Sequence, residues 1–337
     1  MRAYEITEFG IDGLKINDQE VPEPRFGEVL VKFSAFSVNF RDLMTVRGDY
    51  NKRMRLPVTP FSDGAGEVAA VGEGVERWVV GDRVMPIFMQ GWAEGAIDAE
   101  KSKTALGGGQ RWQGVLREYG TFSQDGLVSI PSHLSFEEAA TLPCAAVTAW
   151  HALFDAGRLQ AGETVLTLGT GGVSTFATQF AVMAGAKVIA TSSSDEKLEK
   201  VRSLGAAETI NYRNIPEWDS AVATLTGGVG VDHVVEVGGP GTIGRSLKAV
   251  KTGGHVAVIG VLDTGESDFS PMPILMRSLR LTGIYVGSRK MFEDMNAAIS
   301  HAKLRPVVDS IFDFEDARDA LRYMEKASHF GKIVIKI

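Results

Sequence analysis

One cysteine, Cys144, stands among 337 residues, so an intrachain disulfide is excluded and no cysteine cluster exists to hold a structural zinc. Positive charge is also scarce. Lys and Arg number 35 against 42 Asp and Glu, a net charge of -7, which argues against nonspecific binding to nucleic acid or to anionic membranes. No uninterrupted apolar run reaches the roughly 20 residues that cross a bilayer. The opening stretch MRAYEITEFG has no apolar signal-peptide core, and a cytoplasmic protein is expected. None of the six histidines has metal-site spacing, and repeats and low-complexity segments are lacking. What remains is the composition of a globular protein, 44% hydrophobic and 23% charged, long enough for two domains.

The stretch 164–194, TVLTLGTGGVSTFATQFAVMAGAKVIATSSS, reads as strand, glycine turn, helix and strand. An apolar run 164–168 leads into Gly169-Thr170-Gly171-Gly172-Val173-Ser174, and Phe176, Phe180 and Met183 follow at helical spacing before Gly185. Such a turn suits a pyrophosphate. Gly169 permits the bend, Gly171 lets backbone approach the ligand, and the amides of Gly172, Val173 and Ser174 open the helix toward anionic oxygens. Ser174 replaces the third glycine of the usual fingerprint and is small enough for close helix-to-strand packing. An ordinary βα turn is the alternative. The second strand ends in Thr191-Ser192-Ser193-Ser194, where an NAD site places a carboxylate, and Lys197 follows one turn later. Ser192, Ser193 and Lys197 can receive a 2′-phosphate, so the expected cofactor is NADP(H). The competing reading has the serines capping helix 195–204, with Asp195 and Glu196 at its positive end.

Residues 1–135 show short strands and turns, with strands expected at 28–33, 64–71 and 79–85, and read as a compact β-rich domain. The stretch 88–119 mixes Gly, Trp and charge without a period, includes 106–110, and is expected as a surface lobe. A helix starts at the capping box Ser135-Phe136-Glu137-Glu138, Pro143 interrupts it, and a second helix is expected over 144–156. Strands 208–211, 231–237, 255–261 and 279–286 alternate with helical or loop material, which gives an α/β, doubly wound parallel sheet. Gly238 and Val261 close two of these strands at the carboxyl end, where open sheets bind ligands. The last strand, with Arg280 and Tyr285, suits an exposed edge, and a homodimer joined there is expected. The segment 288–337 is too short for a third domain and returns to the first. The domains are therefore 1–135 with 288–337, and 136–287.

Several segments occur in an order that resembles the medium-chain dehydrogenase/reductase superfamily over nearly the whole chain, above all its zinc-free quinone-reductase-like branch. They are Val38-Asn39-Phe40-Arg41-Asp42-Leu43, Gly64-Ala65-Gly66-Glu67-Val68, Val71-Gly72-Glu73-Gly74-Val75, Gly81-Asp82-Arg83-Val84, Ala139-Ala140-Thr141-Leu142-Pro143, Val147-Thr148-Ala149-Trp150-His151 and Gly331-Lys332-Ile333-Val334. The resemblance implies a GroES-like catalytic domain, an inserted Rossmann cofactor domain and an active site in the cleft between them. Zinc-containing relatives place a Cys at the position of Asn39, a His-Glu pair at Ser62-Asp63 and a Cys at Cys144. Only the last is kept, so no metal is expected. The resemblance further implies NADPH-dependent reduction of a quinone or an α,β-unsaturated carbonyl. Asn39, Asp42 and Tyr50 match polar positions near the nicotinamide, with Tyr50 as a candidate proton donor and Asn39 as an orienting group. Thr148 and Lys332 match residues near the cofactor, and Lys197 and Tyr212 match 2′-phosphate contacts. For Asp42 a cap or salt bridge, for Tyr50 a rim aromatic, and for Lys332 a surface position are the competing readings. Phe88, Met89, Trp92 and Met44 are expected around the acceptor. The alternatives are an alcohol or aldehyde dehydrogenase of the same superfamily and a non-catalytic NADPH-binding structural protein or redox sensor.

Overall fold

Runs of β-branched residues separated by helical stretches assemble into one parallel sheet within the second of two compact units, Thr148–Val286. The computed structural model describes residues 1–108, 112–260, 262 and 269–337. The strands of this unit are β1 (Thr164–Leu168), β2 (Lys187–Ser192), β3 (Glu208–Asn211), β4 (Val231–Glu236), β5 (Val250–Val258) and β6 (Arg280–Gly283). Their order is β3-β2-β1-β4-β5-β6, and every pairing is parallel. Val165, Leu166, Val188, Ile189, Val234, Val235 and Val256 are fully buried, as strands covered on both faces require. Its longer helices are α1 (Gly172–Met183), α2 (Asp195–Ser203), α3 (Trp218–Leu225) and α4 (Pro240–Ala249). Phe176 and Phe180 anchor α1, and Gly185 takes a positive φ of 77° just past its end. The strand order reverses beside β1 and β4, so their carboxyl ends flank the crevice that open sheets use for ligands.

The first unit, Met1–Val147 with Gly287–Ile337, is built on a seven-stranded sheet. Along it lie Val308–Asp313, Lys332–Lys336, Glu28–Val38, Asp63–Val71, Arg83–Pro86 and Leu127–Ser129, with Tyr119–Ser123 also paired to Glu28–Val38. Phe33 meets Phe36 and Phe122 at ring-centroid distances of 5.4 and 5.8 Å, pairs worth about 0.5–1.5 kcal/mol each beyond their burial. Register is what matters for the site. Ile333 pairs with Val38, and Ser37 pairs with Asp63, so Asn39, Asp63 and Lys332 meet at one end of the sheet.

Several elements depart from the sequence reading. The strand expected over 79–85 is Arg83–Pro86, because Asp82 Oδ2 accepts from Val79 N and Gly81 adopts φ 95°, making a turn. The stretch 88–119 is exposed at 94–100, but Phe88, Met89, Trp92, Leu106, Val115 and Leu116 are buried. It is therefore anchored in the core rather than standing off as a surface lobe, and of its 106–110 portion Gly109 and Gln110 lie outside the described residues. β5 starts at Val250, five residues ahead of the expected start at 255, since Val250 pairs with Val231. Around 142–156 two π-helical turns, Leu142–Ala146 and His151–Ala156, flank an α-helical Val147–Trp150 where one helix over 144–156 was expected. The segment 136–147 packs in the first unit, its helix Phe136–Ala139 lying on Glu28–Val38 and Asp63–Val71. The sequence pattern groups it with the second.

Candidate cofactor and active site

At the carboxyl end of β1, Gly169 has φ 71° and Gly171 opens α1 with no side chain capping it. A Cβ added to either glycine meets no atom within 4 Å, so open space faces the turn. Ser174 is buried and donates from Oγ to Leu168 O at 2.7 Å, tying the helix to the strand it follows. Gly172 and Val173 are half-buried on the first turn. Uncapped amides beside empty space at a helix N-terminus fit a dinucleotide pyrophosphate.

The end of β2 carries a second group. Ser192 is buried and its Oγ accepts from Ser194 N at 3.3 Å. Ser194 caps α2, accepting from Lys197 N at 3.4 Å, so of the serines it is Ser194 that serves the helix. Ser193 and Lys197 are half-buried. Tyr212 N donates to Ser192 O at 3.0 Å, which fixes Tyr212 at the same sheet end, its side chain part exposed. Asp195 accepts from Asn211 Nδ2 at 2.7 Å and Glu196 pairs with Lys200 at 2.8 Å, so both acids have partners within the protein.

The sequence reading missed Glu236. Fully buried at the end of β4, its carboxylate accepts from Gly238 N at 2.8 Å, Gly239 N at 3.0 Å, Thr242 Oγ1 at 2.6 Å and Ser246 Oγ. This fixes the turn into α4, and a Cβ on Gly238 would fall 2.3 Å from Thr242 Oγ1. The signal was an acid between valines just ahead of the glycine pair in VVEVGG. Thr148 is buried within Val147–Trp150, and Val261 lies outside the described residues.

In the first unit a buried charged cluster gathers around Asn39. Lys332, only 3% exposed, donates from Nζ to Val38 O at 2.8 Å and Asn39 Oδ1 at 2.5 Å, so it is not a surface lysine. Asp63 is fully buried, with Oδ1 accepting from Ser62 Oγ at 2.8 Å and Oδ2 from Cys144 N at 3.2 Å. Burial raises the Asp63 carboxyl, while the Lys332 ammonium and then the Asn39 amide pull it back. The Asn39 amide nitrogen faces that carboxyl without a hydrogen bond of full geometry. Asp42 Oδ2 accepts from Asn39 N at 2.8 Å, closing the start of the helix Phe40–Arg47, and burial pushes its carboxyl up to about 7. Tyr50 is 37% exposed, and the Arg41 guanidinium lies 5.0 Å from its ring centre. Met44 is half-buried, but Phe88, Met89 and Trp92 have no more than 1% exposure.

This cluster does not suit a zinc ion. An ammonium already sits on Asn39 Oδ1, and the Asp63 carboxylate already accepts from Ser62 Oγ and Cys144 N. Among the described residues no group of three or more His, Cys, Asp and Glu is placed to hold a metal.

Two family models match the chain: an alcohol dehydrogenase GroES-like domain over residues 25–132 and a zinc-binding dehydrogenase domain over 172–301. The chain is 45% identical to a zinc-type alcohol dehydrogenase-like protein of Schizosaccharomyces pombe, covering 97% of this chain and 96% of that one. It is 30% identical to a quinone oxidoreductase of Rattus norvegicus over 99% and 97% of the two chains. A crystal structure of an NAD-dependent alcohol dehydrogenase superposes with a TM-score of 0.91 at 33% identity, covering 100% of both chains. A mycobacterial protein complexed with NADPH does so at 0.83 and 27%, again covering 100% of both.

Proposed function

The chain belongs to the medium-chain dehydrogenase/reductase superfamily, whose members are nicotinamide-dinucleotide-dependent oxidoreductases, and from that premise we propose that it reduces a quinone or α,β-unsaturated carbonyl with NADPH and without zinc. The observation that carries the cofactor choice is the end of β2. Ser193 directly follows β2 where an NAD site would place a ribose-binding carboxylate, Lys197 lies on the first turn of α2, Tyr212 N is bonded to Ser192 O at the same sheet end, and the nearby acids Asp195 and Glu196 have partners within the protein. Hydroxyls donate to the 2′-phosphate and Lys197 supplies the countercharge. The uncapped start of α1 holds the pyrophosphate, and Glu236 fixes the Gly238–Gly239 turn beside it.

The bound cofactor supplies the hydride. The protein's part is to hold the acceptor and deliver one proton to the oxygen that gains charge, and Tyr50, part exposed beside the Arg41 cation, is the donor in this reading. Asn39 is clamped between Lys332 and Asp63 and acts as a positioning residue, while Asp42 orders the helix that carries Arg41. Because hydride addition to an electrophilic alkene or quinone needs no Lewis acid, a cluster in which the Lys332 ammonium occupies Asn39 Oδ1 is compatible with turnover. The second reading, alcohol oxidation, is favoured by the relatives and structure named alcohol dehydrogenase. Acceptor-dependent oxidation of NADPH against alcohol-dependent reduction of NADP⁺ separates the two.

The cofactor assignment has its own test in Lys197→Ala. Removing one charge-assisted phosphate contact should raise the dissociation constant for NADPH by roughly ten- to hundredfold and leave NADH within about twofold. Equal weakening of both cofactors, measured by fluorescence titration, contradicts the assignment.

A further inference from the structure

Arg41 is the one cation of the charged cluster that the reaction outlined above leaves without a task. Its Nε, Nη1 and Nη2 are all buried, and none has a hydrogen-bond partner among the described residues. Asp42 Oδ1 makes a long ion pair with Nη1 at 3.9 Å and, among the described residues, likewise has no hydrogen-bond partner. The guanidinium is instead held by rings, with its carbon 4.7 Å from the centre of Phe88 and 5.0 Å from that of Tyr50. Beside it the backbone is bare: a Cβ on Gly108 would fall 2.6 Å from Nη2, so any side chain there would press on the guanidinium. Aromatic faces compensate a cation only in part, and they leave the in-plane N–H donors unused. Guanidinium donors buried without acceptors are costly, and a fork of parallel N–H groups matches the two oxygens of a carboxylate. Phe88 is a buried wall at 1% exposure, whereas Tyr50, 37% exposed, forms the solvent-facing side of the guanidinium's surroundings.

The geometry points to Arg41 as the anchor for a carboxylate on the acceptor, so that the natural substrate is an anionic enone or quinone, a keto acid with a conjugated double bond being the simplest form. This rests on the hydride-acceptor reading and narrows it. The carboxylate lies in the plane of the guanidinium, replaces the missing acceptors, and leaves the carbonyl within reach of the Tyr50 hydroxyl. Electrostatics agree with the assignment, because Lys332 is taken up by Val38 O, Asn39 and Asp63, which leaves Arg41, among the described residues of this cluster, as the cation available to an incoming anion.

The experiment compares β-acetylacrylic acid with its methyl ester, a pair that differs at the carboxyl alone, as acceptors for NADPH oxidation by the wild-type protein near neutral pH. The acid is expected to exceed the ester in kcat/KM by about ten- to hundredfold, and Arg41→Gln to bring the ratio close to one, with Arg41→Lys in between. Equal use of acid and ester by the wild type overturns the proposal without any variant, and so does a ratio unchanged in Arg41→Gln. Should neither compound be reduced, the hydride-acceptor reading fails on its own account. Calorimetric titration of the acid and the ester onto the wild type then decides Arg41 separately, since it requires binding of the acid and not of the ester. A loss of NADPH affinity in Arg41→Gln with no change in the acid-to-ester ratio would mean that the anion is the cofactor's phosphate, and would also overturn the proposal.

Discussion

Asp42 joins structure to pH. Burial raises its carboxyl to about 7, with the Arg41 charge opposing and Asp63 adding to the shift. In the unfolded chain the same group titrates near pH 4. Between those values the native state keeps a proton that the unfolded state has lost. The stability this group contributes is therefore complete below about pH 4 and disappears as pH rises to about 7. Asp42→Asn keeps an acceptor for Asn39 N and removes the titration. The variant should gain stability relative to wild type steadily across that window in chemical denaturation, and a difference independent of pH would contradict the burial argument. At this scale the sequence was legible in part. The glycine pattern and the serines of β2 can be read because backbone chemistry restricts which residues serve there. Lys332 and Glu236 could not be read as buried, since burial of a charged residue depends on partners brought from 293 positions away for Lys332 and from a helix turn for Glu236.

The turn between β1 and α1 makes the clearest claim at the scale of elements. Gly171 sits at φ −76° and ψ −177°, an extended conformation open to any residue, and its added Cβ would meet nothing. Folding therefore does not demand glycine there, but close approach of a ligand does. Gly171→Val should change unfolding free energy by less than about 1 kcal/mol while weakening NADPH at least about hundredfold. A large loss of stability with cofactor affinity intact would reverse the assignment. Elements with strong periodicity were legible: β1 and β3 have the expected bounds, and α1 begins at the glycines. The stretch 88–119 was not, because its anchors Phe88, Trp92, Leu106 and Val115 follow no period and are placed by long-range contacts, such as Val115 N donating to Phe61 O at 3.0 Å. The π-helical turns around Val147–Trp150 likewise leave no mark in a pattern read at 3.6 residues per turn.

For the molecule as a whole, each of the two units presents its own set of candidate site residues. The second presents a glycine turn and the strand end proposed to receive the 2′-phosphate, and the first presents a buried cluster in which the Lys332 ammonium donates to Asn39 Oδ1. The order of these parts along the chain was legible because several motifs recur in sequence, whereas the partners of each charge were not, since register and packing set them. The central claim is that hydride passes from NADPH to an electrophilic acceptor unaided by a bound cation. Its most direct measurement is a single turnover with NADPH deuterated at the transferable position and β-acetylacrylate as acceptor, on protein exhaustively chelated and checked by elemental analysis. We predict deuterium on the reduced carbon at an undiminished rate with zinc far below one per chain. Absence of transfer until stoichiometric zinc is restored would contradict it.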